Sequence, residues 1–117
     1  MGKYPPSRLK DKYSDWHWQD GRFNRSAFLT DVDRIWVEIR DENLVAVFDI
    51  KEPRAPITWA ESKVYLWFEN KGVPVFVVNT TQDFQDFRIM RWKSNDTRNF
   101  NQEQYINFIN NITDSIF

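Results

Sequence analysis

The chain contains no cysteine, so neither disulfides nor thiolate metal ligands are available to it. It has a single histidine, His17, and a lone histidine is more often a packing or surface residue than a catalytic one. No apolar stretch approaches the ~18 residues needed to span a bilayer. The opening MGKYPPSRLK lacks the apolar centre of a signal peptide. These absences predict a cytoplasmic protein without a membrane partner, in which the Asn-X-Thr triplets at Asn79, Asn95 and Asn111 carry no meaning. The formal net charge is only −1, so there is no global basic field of the kind that advertises nucleic-acid binding. There is no internal repeat and no low-complexity tract.

What is present is aromatic and unevenly charged. The 117 residues suit one domain, 1–117, and 17% of them are aromatic, including six Trp and ten Phe. Such a chain has apolar surface to spare, and two-fold pairing is the commonest way to cover it, so a homodimer is expected. Residues 1–30 carry six Lys/Arg against three Asp, whereas residues 31–70 carry five against nine acids. In the basic segment, Lys10, Lys12, Arg22 and Arg25 are candidate phosphate contacts, the two arginines flanking Phe23.

The segment from Thr30 to Lys51, TDVDRIWVEIRDENLVAVFDIK, organises the rest. Two period-2 runs flank the polar turn Asp41-Glu42-Asn43, the pattern of a β-hairpin. Alternation places Asp31, Asp33, Ile35, Val37 and Ile39 on one face of the first strand, and Val45, Val47, Asp49 and Lys51 on one face of the second. With the turn centred near Glu42, Lys51 falls opposite Asp33 and Asp49 opposite Ile35. Three carboxylates and one amine then converge at the hairpin's open end, beyond an apolar stripe, where charges are costly unless they are paired or bind a metal. A turn entering the strand also suits Asp31 and Asp33, and an ion pair at a strand end also suits Asp49 with Lys51.

Around the hairpin the pattern predicts a helix from Ser7 with Leu9, Tyr13 and Trp16 on one face. After the rigid loop 52–56, Thr58 with Glu61 forms a capping box for a helix over 58–71, with Ala60, Val64, Trp67 and Phe68 as its stripe and Gly72 as its stop. Val73 to Asn79 reads as a buried strand parallel to 44–51, and 87–92 as an edge strand with a basic fringe of Arg88, Arg91 and Lys93. Asn101 and Gln104 cap a last helix whose stripe is Tyr105, Phe108, Ile109 and Ile112. The class is α/β: a small mixed β-sheet flanked by helices.

A hairpin ending in Asp49-Ile50-Lys51, with Asp33 or Asp31 upstream and a helix following, resembles the PD-(D/E)XK nuclease superfamily, which includes restriction endonucleases and Holliday-junction resolvases. The likeness covers residues 30 to 80, and no Pro precedes either upstream Asp. It implies a restriction-endonuclease-like core and Mg²⁺- or Mn²⁺-dependent hydrolysis of DNA phosphodiester bonds. Asp33, Asp49 and Lys51 would be catalytic. The cation would be held by Asp33, Asp49, the Ile50 carbonyl and, as a further ligand or brace, Asp31. The superfamily fold opens with a helix whose acid sometimes helps hold the metal, and Asp11 and Asp15 are the acids available. His17 and Glu61 are accessory candidates, although the capping box already explains Glu61. Two other classes compete: a nuclease-fold module that binds DNA or protein without cutting, and an oligomeric structural protein in which the acidic cluster is incidental.

Overall fold

The computed structural model describes residues 9–23, 27–29, 36–40 and 43–112, and for residues 27–29 and 40 the backbone alone. Helix α1 (Leu9–Gln19) is followed by strands β1 (Ala27–Leu29), β2 (Trp36–Arg40) and β3 (Asn43–Lys51). Helix α2 (Trp59–Asn70) crosses to β4 (Val75–Thr80), and β5 (Asp86–Arg91), β6 (Thr97–Asn101) and α3 (Gln102–Asn110) follow. The strands form one six-stranded sheet in chain order, β1-β2-β3-β4-β5-β6. The β3–β4 pair, bridged by α2, is parallel, and every other neighbouring pair is antiparallel. A parallel pair needs such a crossover, and the helix supplies it. The mixed α/β sheet expected from the sequence is the observed architecture.

The two faces of the sheet bury different layers. On one, Trp36, Ala46, Phe48, Ile50, Phe76 and Ile89 pack with Leu9 and Tyr13 of α1 and with Tyr105, Phe108 and Ile109 of α3. On the other, Val37, Val47, Val75 and Val77 pack against Tyr65 of α2. Both helical caps form as the sequence predicts. Thr58 and Glu61 exchange hydrogen bonds at the start of α2, as do Asn101 and Gln104 at the start of α3. The α2 terminus closes with Gly72 at φ 82°, and the Val73 amide donates to Phe68 O, six-residue geometry that a Cβ would strain.

The hairpin register matches expectation over Trp36–Glu38, where Trp36 lies opposite Phe48 and Val37 opposite Val47. Towards the turn the register shifts between Glu38 and Ile39, and Val45 is left as the extra residue of a bulge. Val45 therefore packs against the α1–α3 core, not on the face it was expected to share with Val47.

Two further expectations are corrected. The strand near 87–92 is not an edge, because β6 lies outside it. β6 reads TRNFN, too polar to register as a buried strand, and it is exposed as an edge strand should be. The inward face of α2 keeps Val64 and Phe68 of the expected stripe but is rotated towards Tyr65 and Glu69, which are buried, whereas Ala60 is exposed and Trp67 is 56% exposed. A buried acid was not expected there, and its charge is matched by Arg91 of β5, whose guanidinium reaches both Glu69 oxygens at 3.1 and 3.0 Å; the Val75 amide adds a third bond at 3.0 Å. Burial pushes the Glu69 carboxyl up, but the Arg91 and Val75 hydrogen bonds outweigh it and hold the group below its ordinary value of 4.5.

A depressed carboxyl contributes stability that is present above its unfolded pKa and lost as pH falls through the folded one. Glu69→Gln should therefore cost about 2 kcal/mol at neutral pH, the scale of hydrogen bonds to a charged group. Urea unfolding should show that gap narrowing as the pH is taken below the ordinary carboxylate range.

Candidate functional site

At its C-terminal end β3 passes from Val47 and Phe48, both fully buried, to Asp49-Ile50-Lys51. Asp49 faces the α2 layer and is only 2% exposed. Its two oxygens are taken by different layers: the Lys10 ammonium from α1 pairs with Oδ1, and the Tyr65 hydroxyl from α2 donates to Oδ2. Two residues on, the Lys51 ammonium pairs with Glu61 Oε2 at 2.7 Å, with the lysine side chain 9% exposed. Burial alone would raise the Glu61 carboxyl, yet the Lys51 hydrogen bond and the Thr58 amide hold it below its usual value. Glu61 thus serves the helix cap and Lys51 at once, one oxygen accepting from each. Four charged side chains are gathered at this strand end as two ion pairs.

Asp49 and Lys51 leave the same face of β3, as alternation predicts, and Lys51 pairs with the accessory candidate Glu61; Ile50 lies between them in the β3–β4 ladder opposite Val78. Asp31, Asp33 and Arg25 lie outside the described residues. Of the proposed phosphate contacts, Lys10 instead points inward to Asp49, because a buried carboxylate needs a counter-charge. Lys12 donates to Gln82 Oε1 at 2.8 Å. Arg22 clasps Asp20 through two bonds of 2.9 and 2.7 Å and also donates to Gln102. The Arg22 hydrogen bond holds the Asp20 carboxyl down at about 2. Asp11 and Asp15 of α1 are half-buried, and neither contributes to a group of three metal-ligating side chains; no such group occurs among the described residues.

His17 lies away from this centre, in the α1–α3 layer. It is 1% exposed and stacks on Phe23 with ring centroids 4.0 Å apart. Its Nε2 is 3.3 Å from Oε2 of Glu38, a fully buried acid that also accepts from Trp36 Nε1 at 2.9 Å. Sequence reasoning missed Glu38 and Tyr65. Tyr65 was readable in principle, since it stands four residues after Glu61 and so on the same helix face.

Lys10→Met leaves the Asp49 carboxylate buried without its counter-charge and should cost about 3 kcal/mol, whereas Tyr65→Phe removes one hydrogen bond and should cost about 1 to 2 kcal/mol. Chemical denaturation of the two variants checks the order. Comparison with family models, with curated proteins and with solved structures returns no match for this chain.

Proposed function

We propose that the protein is a metal-dependent endonuclease that hydrolyses DNA phosphodiester bonds, with its centre at the C-terminal end of β3. The observation that carries this reading is the burial of Asp49 and Lys51 side by side, with Glu61, at the end of an otherwise apolar central strand. Buried ion pairs seldom stabilise a fold better than apolar residues of the same size would, and departures from local good sense concentrate at functional sites. The setting agrees with the likeness drawn from sequence: an opening helix, a hairpin ending in Asp-X-Lys, and a helix directly after it.

A hard cation such as Mg²⁺ or Mn²⁺ takes carboxylate and carbonyl oxygens. Asp49 and the Ile50 carbonyl would hold it, joined by Asp33 or Asp31. The donors fit in charge: the Asp49 carboxylate is already matched by a positive group, the Lys10 ammonium, which would give way to the cation. When bound, the cation polarises the phosphate and makes the attacking water more acidic. Lys51, restrained by Glu61, stabilises the charge that builds on the phosphate oxygens. A water oxygen bonds to phosphorus and releases its proton to solvent, the P–O ester bond breaks, and the departing oxygen takes up a proton from solvent. Tyr65 keeps Asp49 oriented.

The test is cleavage of branched and linear duplex DNA with Mg²⁺ or Mn²⁺, alongside Mn²⁺ calorimetry. Asp49→Asn should lose cleavage and most cation binding; Lys51→Ala should lose cleavage while its heat of Mn²⁺ binding persists. Mn²⁺ should also raise the melting temperature of Lys10→Met more than that of the wild type, because no ammonium competes. A wild-type protein that neither cleaves nor binds Mn²⁺ removes the proposal. DNA bound but uncut, with Lys10 retained on Asp49, would identify a non-cleaving module.

The expected homodimer has a candidate surface in the outer stripe of α2. Trp59 is 76% exposed, Leu66 42% and Trp67 56%, with the Lys63 and Lys71 ammoniums 5.2 and 5.5 Å from the two tryptophan ring centres. A second copy of the chain would bury this stripe. Sedimentation should show a dimer in the wild type and a monomer in Trp59→Ser/Trp67→Ser; a wild-type monomer at high micromolar concentration removes the idea.

A further inference from the structure

Lys51 does not end at the β3 centre; it begins a row. In register it lies beside Asn79 of β4, Asn79 beside Arg88 of β5, and Arg88 beside Asn99 of β6. Residues directly opposite on neighbouring strands share a face, so Lys51, Asn79, Arg88 and Asn99 form one polar line across four strands. At about 4.8 Å per strand the line is about 14 Å long. The next row inward on the same face is Asp49, Val77 and Met90, and the two apolar members pack with the α2 layer. The polar line therefore runs along the edge of the covered core.

A groove of about 630 Å³ follows this line, with Arg54, Asn79, Asp86, Arg88, Asn99 and Phe100 in its walls. A second hollow, of about 430 Å³, holds Lys10 and Lys51 and shares Pro53 and Arg54 with the first. The two meet at the turn Glu52-Pro53-Arg54-Ala55, closed by the Ala55 amide on Glu52 O at 3.1 Å. The Asn79 side-chain amide donates to the same Glu52 carbonyl at 2.9 Å and fixes the turn beside the row.

Arg54 is the anomaly in this turn. Its φ is 63°, in the left-handed region, at the third position of a turn with Pro before it. Glycine or asparagine is the residue that this geometry favours, and any larger side chain is held there against a steric cost. A strained residue at a groove junction points to a use for its side chain. Arg54 and Arg88 are both exposed, and their planar guanidiniums match phosphate oxygens in paired hydrogen bonds. Asp86 disfavours a phosphate at its own position and so confines a polyanion to the line.

We propose that this groove holds an extended single strand of DNA, with phosphates on Arg54 and Arg88 and the strand leading to Lys51. Its identity as nucleic acid rests on the nuclease reading above; the groove and its residues do not. The probe is labelled oligo(dT), followed by fluorescence anisotropy in EDTA so that nothing is cut. Arg54→Gly and Arg88→Ala should each weaken binding about 10-fold and each lower the salt slope by about 0.7 log units per log unit of salt, the value for one phosphate on a single strand. Arg54→Gly should meanwhile melt at or slightly above the wild-type temperature, because the turn is relieved while the ligand contact is lost. Unchanged affinity in both arginine variants overturns the proposal even if the wild type cleaves DNA. So does polyglutamate competing as well as oligo(dT), or tighter binding of duplex that is indifferent to both arginines. Groove-dependent binding by a wild type that never cleaves would instead sink the nuclease reading and leave the groove standing.

Discussion

Asp49 is where the three layers of the protein meet on one charge. A carboxylate at 2% exposure on a central strand is costly unless both its oxygens are occupied by good partners. Here one partner comes from α1, on one side of the sheet, and the other from α2, on the opposite side. The positions of both helices are therefore linked through a single residue of β3. The neighbouring pair, Lys51 with Glu61, repeats the arrangement from the other end: the cap that starts α2 also holds the lysine. The groups that tie both helices to the end of β3 are thus the same ones on which the proposed chemistry would draw.

The placement of α1 depends in turn on aromatic packing. Tyr13 packs edge-on against Trp36 and Phe84, and its hydroxyl bonds that of Tyr105, which stacks on Phe87 with ring centroids 3.9 Å apart. Burial drives both tyrosine hydroxyls well above their ordinary pKa, with the charge of Glu38 adding to the effect, so both stay protonated. This layer holds many of the chain's abundant aromatic side chains, and it explains His17 as a stacked core residue beside Glu38. A rigid aromatic bed under α1 is what lets Lys10, at the start of that helix, reach Asp49.

The two sheet faces are divided by the strict alternation of strand side chains, and the bulge at Val45 is the one place in the β2–β3 pair where that alternation slips. Beyond the bulge the pairing settles into the register that puts Val37 and Val47 under α2 and carries Asp49 and Lys51 to the same side. The polar line from Lys51 to Asn99 follows from the same rule applied over three further strands. One register, set in the central strand, thereby orients the candidate centre and the groove that leads to it.

The sequence by itself determined the features that arise within a few residues. The capping boxes at Thr58 and Asn101, the stop at Gly72, the buried strand after Pro74 and the shared face of Asp49 and Lys51 all follow from spacing, turn chemistry and alternation, and all are present. Tertiary structure decided what depends on partners distant in the chain. Lys10 carries no mark that it will be turned inward 39 residues away to Asp49, and Glu69 is buried only because Arg91 arrives from β5. β6 became a strand because β5 offered a free edge, not through any apolar pattern of its own. Arg54, Arg88 and Asn99 look like ordinary surface residues until parallel and antiparallel pairing sets them along one groove. Periodicity reports which way a side chain points from its own element; only the assembled sheet decides what it meets there.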